Sequence, residues 1–155
     1  MTLRRSILSI TCLSLLSHAA LALAAEPAQT PSLYKRVGGY DAIAAVVDDF
    51  LGRLAADPKI GRFFAGVNAA HQKQIRQLAV DLVCEATGGP CFYTGRDMKT
   101  THTGLGITKA DWDASVQHFL ATLDKFKVPQ KERDELVAIV GGLEKDMVEI
   151  PAAPR

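Results

Sequence analysis

The sequence predicts an all-α fold, and three observations carry that prediction. Apolar residues recur at three- and four-residue spacing in every long segment. No run sustains two-residue alternation with β-branched enrichment. Gly, Pro and capping side chains fall where the periodic segments stop. The chain has 155 residues, 48% hydrophobic and 23% charged, which is enough apolar material for the core of one domain. A net charge of +1 and the lack of a basic stripe exclude a nucleic-acid binder.

Residues 1–24 read as a cleaved signal peptide. Arg4 and Arg5 form a positive start, Ile7 to Leu23 is mostly apolar, and Ala22-Leu23-Ala24 is a small-x-small cleavage site. The expected destination is the periplasm or another exported compartment, without stable membrane insertion. An uncleaved leader would instead anchor the chain, but the apolar stretch is short and interrupted for a spanning helix. Loss of Arg4 and Arg5 leaves 16 basic and 17 acidic residues, a net charge of −1. Residues 25–31 read as a linker, 32–150 as the domain and 151–155 as a loose tail.

Within the domain, Ser32 caps a short helix from Leu33 to Val37, stopped by Gly38-Gly39. Asp41 is expected to cap the next helix, whose stripe is Ile43, Val46, Val47, Phe50, Leu51 and Leu54. Asp57-Pro58 reads as a cap with proline at the first helical position, restarting a short helix with Ile60, Phe63 and Phe64. Asn68 caps a long helix to about Thr87, with Ile75, Leu78, Ala79, Leu82, Val83 and Ala86 on one face. Gly88-Gly89-Pro90 ends it.

An irregular stretch from Cys91 to Gly106 has room for one or two helical turns around Met98 to His102. Thr108 and Asp111 form a capping box for a helix burying Trp112, Val116, Phe119, Leu120 and Leu123. Val128-Pro129 opens the last helix, with Leu136, Ile139, Val140, Leu143 and Met147. Gly141-Gly142 is expected to kink it.

Cys12 leaves with the leader, so Cys84 and Cys91 remain as an even pair. The Gly88-Gly89-Pro90 turn between them and export to an oxidising compartment favour a disulfide. The alternative is a buried thiol at Cys84 and an exposed one at Cys91.

His71, His102 and His118 do not form a zinc spacing, and there is no nucleophile elbow, P-loop or dinucleotide fingerprint. His102 is set apart by its surroundings. It sits in the least regular part of the chain, with Gly104 and Gly106 behind it and Met98 one turn before it. Such a histidine, facing apolar neighbours, is what a five-coordinate haem iron requires. Taken alone, a lone histidine before a loop reads more readily as a solvated surface residue.

Several pieces occur together and in order: Leu33-Tyr34 with Val37-Gly38-Gly39; Ala42-Ile43 through Val47-Asp48-Asp49-Phe50; Asp57-Pro58; Phe63-Phe64-Ala65-Gly66; Gly88-Gly89-Pro90; Tyr93 to Met98; and His102 to Thr108. In these the chain from Ser32 to about Val148 resembles the truncated haemoglobins of the first group. The resemblance implies a globin-like two-over-two helical sandwich around haem b. It implies His102 as the proximal iron ligand and Phe64 stacked on the haem edge. Met98, Ile107 and Trp112 would line the haem pocket, and Arg96 and Lys99 would pair with a propionate or stay solvated. The implied function is binding of oxygen, nitric oxide or carbon monoxide, of the oxygen-carrier type. The alternatives are a haem enzyme acting on nitric oxide or peroxide with an unidentified electron donor, and a haem-free helical binding module.

On the distal side the chain departs from the group pattern. Many members carry a tyrosine directly after the phenylalanine that here is Phe50, whereas this chain has Leu51. The segment between Phe64 and Gly88 is also about three residues longer than the group pattern. Counting back from Gly88 turns Ile75, Leu78, Ala79 and Val83 to the pocket. Counting forward from Phe64 turns Gln72 and Arg76 there and restores a donor. The first count is preferred because it faces the unbroken apolar stripe inward. With it, a gas ligand lacks a hydrogen bond worth roughly 1.5–3 kcal/mol. His71 is expected at the surface, and His118 as a partly buried, hydrogen-bonded residue.

Overall fold

A computed structural model describes residues 30–150. The expected signal peptide, the expected linker up to residue 29 and the tail 151–155 lie outside the described residues, and Thr30 and Pro31 are exposed and irregular. The helices are α1 (Leu33–Arg36), α2 (Gly39–Ala56), α3 (Ala69–Ala86), α4 (Met98–His102), α5 (Lys109–Lys125), α6 (Gln130–Gly141) and α7 (Glu144–Met147), with a 3₁₀ turn over Gly61–Phe64. Among the described residues no helix is long and apolar enough to cross a membrane.

Most helix starts follow the expected local chemistry. The Ser32, Asn68 and Asp97 side chains accept from the amides of Lys35, His71 and Thr100, each three residues on. Thr108 and Asp111 make the reciprocal capping box of α5.

Three expectations need correction. Asp41 does not cap α2. The helix begins at Gly39, after Gly38 at φ 100°, and Asp41 lies in its first turn, where its charge meets the positive end of the helix. Asp57 does cap, accepting from the Lys59 and Ile60 amides, but the segment after it turns as 3₁₀ only from Gly61. Gly141-Gly142 ends α6 instead of kinking it, and Leu143 starts the separate turn α7.

Helix α2 is the centre of the packing, against α3 on one side and α5 on the other. Ile43 and Val47 of α2 bury against Val80 and Cys84 of α3. A second cluster joins Leu33, Phe119, Leu123 and Leu136, with Phe50 edge-on to Phe119 at 5.6 Å. Polar links reinforce both seams. Arg76 holds Asp48 through two bonds of 2.7 and 2.9 Å, and Asp49 accepts from Arg53, Lys125 and the fully buried Thr122 hydroxyl.

Cys84 and Cys91 form the expected disulfide, with Cα atoms 5.8 Å apart. It ties the end of α3 to the strap that leads to α4. Gly89 lies in the turn between them. A Cβ there would sit 2.5 Å from the Tyr34 ring and 2.6 Å from Cys84 Sγ, so no side chain fits without displacing the core.

Candidate functional site

Between α2, α3, the 3₁₀ turn, α4 and α5 the helices leave one large cavity of about 850 Å³. That lies within the usual 300–1,000 Å³ range of ligand and cofactor pockets. Its walls bring together residues from five separate segments. Phe50 and Leu51 come from α2, Phe64 from the 3₁₀ turn, Ile75 and Ala79 from α3, Met98 and His102 from α4, and Ile107 and Trp112 from the start of α5 and the loop before it. All nine candidate residues thus face the same space.

The local chemistry of His102 suits a metal or cofactor ligand. Its Nδ1 lies 2.7 Å from the Met98 carbonyl oxygen. A carbonyl only accepts, so Nδ1 carries the proton and Nε2 keeps its lone pair. The same bond orients the imidazole, as metal-bound histidines require of their second nitrogen. The half-buried ring lines the cavity from a five-residue helix.

From Ile75 onward the α3 wall is apolar. Ile75, Leu78, Ala79, Leu82 and Val83 line the cavity, while Gln72 donates to the Val67 carbonyl and Arg76 is held by Asp48. The count back from Gly88 therefore gives the register, and the donors of the other count are engaged elsewhere.

His71 is exposed, as expected, yet it also lines the cavity edge, as does Gln74. Sequence reasoning missed Gln74. The signal was present: residues 71, 74, 75, 78 and 82 share one helical face, and extending the apolar stripe one turn towards Asn68 reaches both polar side chains.

Two polar straps pin the 57–64 segment to α5. Arg62 stacks over Phe63 at 4.2 Å and donates to Asp111 at 2.8 Å. Burial pushes the Asp111 carboxyl up, but the Thr108 hydroxyl and amide and the Arg62 guanidinium outweigh it and hold it below the ordinary range. His118 Nε2 donates to Asp57 at 2.9 Å, as expected of a satisfied, partly buried histidine. That bond and the Ile60 and Lys59 amides hold the Asp57 carboxyl at about 2.

On the far rim the Tyr93 hydroxyl donates to the Arg96 carbonyl at 2.6 Å, and burial pushes this phenol up, keeping it a neutral donor. Arg96 reaches the cavity from an exposed position, whereas Lys99 is exposed and outside its lining.

Comparison with known proteins agrees with this architecture. The bacterial-like globin family matches residues 32–149. The group 1 truncated haemoglobin of Mycolicibacterium paratuberculosis is 34% identical over 119 residues, covering 77% of this chain and 83% of that protein. The one from Synechocystis is 33% identical, covering 71% and 90%. Among solved structures, the ferric truncated haemoglobin of Tetrahymena pyriformis superimposes with TM-score 0.68 at 27% identity, over 76% of this chain and 98% of that one. The two-over-two haemoglobin of a Synechococcus species, with covalently attached haem, gives TM-score 0.69 at 31% identity over the same shares. With the family matched across the whole helical domain and the two-over-two fold shared, the chain belongs to the bacterial-like globins as a group 1 truncated haemoglobin, a haem globin.

Proposed function

We propose that this chain binds haem b through His102 and holds diatomic gases, with oxygen carriage as its generic role. The observation that carries this reading is the convergence of all nine candidate residues on one cavity with the Nε2 lone pair of His102 free. When bound, haem supplies the iron at which such gases are held.

The chain's own residues do the rest. His102 donates its lone pair from a ring fixed by the Met98 carbonyl. Phe64 would offer an aromatic face to the macrocycle, and Met98, Ile107 and Trp112 would keep water from the ligating nitrogen of the histidine. Phe50, Leu51, Ile75 and Ala79 line the cavity with side chains that offer a gas no hydrogen bond, which favours fast release over storage. Arg96 is placed for a propionate. The two described cysteines are joined to each other, leaving neither for a thioether bond to haem, which supports haem b. The same disulfide supports export to the periplasm.

A second reading is turnover of nitric oxide or peroxide with an external electron donor. It is favoured by His71 and Gln74, polar residues on the α3 rim of the cavity.

The experiment is an absorption spectrum of the haem-reconstituted chain without its leader, in ferric, ferrous and carbon-monoxide-treated forms, beside His102→Ala. A histidine-type Soret band lost or altered in the variant supports the site. No stoichiometric haem uptake, or a spectrum indifferent to His102, refutes it.

A further inference from the structure

The carboxylate of Glu149 is engaged by main-chain amides of the loop that leaves His102. Oε1 accepts from the Gly104 amide at 2.7 Å and Oε2 from the Gly106 amide at 2.5 Å. Among the described residues no cation lies within ion-pair distance of it. Gly104 (φ 88°) and Gly106 (φ 65°) both take the left-handed conformation. That lets alternate amides converge on one anion, a backbone nest. The main chain is stitched alongside. The Glu149 and Ile150 amides donate to the Ile107 carbonyl at 2.9 and 3.1 Å, and the Lys109 amide donates to Ile150 at 3.0 Å. These bonds make a single parallel bridge between Thr108 and Ile150.

This arrangement matters because α4 is only five residues long. A helix of that length has no stability of its own, and its position depends on what holds its ends. Asp97 caps the start. At the other end the Leu105 amide donates to the His102 carbonyl at 3.2 Å, a local turn that follows the histidine wherever it goes. The bridge fixes the far end of this loop at Ile107, and the Glu149 carboxylate is what ties the two glycines directly behind His102 to a distant part of the chain; α4 and α7 are packed together in the same region.

We propose that Glu149 is the positioning residue for His102: by clamping the Gly104 and Gly106 amides it sets the height and orientation of the imidazole in the cavity. This rests on the reading of His102 as the iron ligand. The two amides hold the Glu149 carboxyl below the ordinary range, consistent with an anion that is fully engaged. Sequence distance hides the clamp, since 43 and 45 residues separate the partners.

The test uses Glu149→Ala and Glu149→Gln in the haem-loaded and haem-free chain. In the loaded ferrous form, the iron–histidine stretching band in resonance Raman should shift and broaden in Glu149→Ala. Transfer of haem to a scavenging apoprotein should speed up about tenfold, the effect of losing two charge-assisted bonds at an exposed site. Glu149→Gln should fall between, because its carbonyl oxygen satisfies one amide while its NH₂ opposes the other. In the haem-free chain, amide exchange should rise at Gly104 and Gly106 but not at Val80 or Leu123 of the core. An unchanged Raman band and haem transfer within about twofold of the parent would overturn the proposal, as would unchanged exchange at the two glycines. If the parent spectrum itself ignores His102, the ligand reading fails and this role fails with it. An intact parent spectrum with an indifferent Glu149→Ala variant overturns the positioning role alone.

Discussion

Replacing both Cys84 and Cys91 by alanine removes the disulfide that folds the strap leading to α4 back onto the cavity wall formed by α3. The partners are seven residues apart, so the bridge closes a short loop, and the chain-entropy relation gives about 2.4 kcal/mol at 25 °C. A packing term adds to this. Cys84 is wholly buried against Ile43, Val47 and Val80, and truncating its sulfur to hydrogen leaves a small void costing on the order of 1 kcal/mol. The double variant should therefore lose about 3 kcal/mol, or roughly 10 °C in melting temperature for a domain of this length. The assay is thermal and guanidinium unfolding followed by far-ultraviolet circular dichroism. The haem-free chain is the right sample, because bound cofactor adds its own linkage term. Reducing the parent should reproduce the entropic part without the packing part, so it should fall between the two. A double variant within about 1 kcal/mol of the parent would refute the loop-closure reasoning. Two freely alkylated thiols in chain purified from an oxidising compartment would refute the bridge itself.

Three further outcomes follow from the same geometry. Gly89→Ala should destabilise by about 1–3 kcal/mol, because the new methyl meets Tyr34 and Cys84 well inside contact distance; equal unfolding midpoints would contradict this. Asp57 titrates at about 2 in the fold against an ordinary 3.8. Its contribution is complete above the ordinary value and is lost as pH falls towards 2, so Asp57→Asn should flatten the acid limb of a melting-temperature profile between those limits. An acid limb of unchanged slope would count against the His118 strap. Leu51→Tyr should slow oxygen release roughly ten- to a hundredfold by adding a donor worth about 1.5–3 kcal/mol; stopped-flow rates equal to the parent would show that position 51 does not face the gas.

Local physics explains which parts of this molecule were readable in advance. Asn68, Thr108 with Asp111, and Ser32 are caps that act within three residues, and each starts its helix as expected. The α3 register was recoverable from the stripe at Ile75, Leu78, Ala79 and Val83, since burying those residues outweighs any gain from turning Gln72 or Arg76 inward. The early start of α2 was not recoverable, because Gly38-Gly39 reads as the stop of α1 and nothing local shows that the next helix begins at once on the second glycine. Nor was the end of α6 at Gly141-Gly142, where two glycines serve equally as kink or terminus. The nine cavity residues were named through resemblance; periodicity alone made His102 a surface residue. The links that brace the cavity, Arg62 to Asp111 and Glu149 to the glycine amides, span dozens of residues and leave no periodic trace.

Trp112 is the sole tryptophan of the chain, and it stands in the cavity wall with 6% of its surface exposed. Its emission in the empty chain comes from one shielded site, and a strongly absorbing macrocycle alongside would extinguish it by energy transfer. The molecule thus carries an intrinsic optical gauge of its own occupancy. Titrating haem into the empty chain should remove that emission with a break at equal molar amounts, and its return should time cofactor loss without any added label.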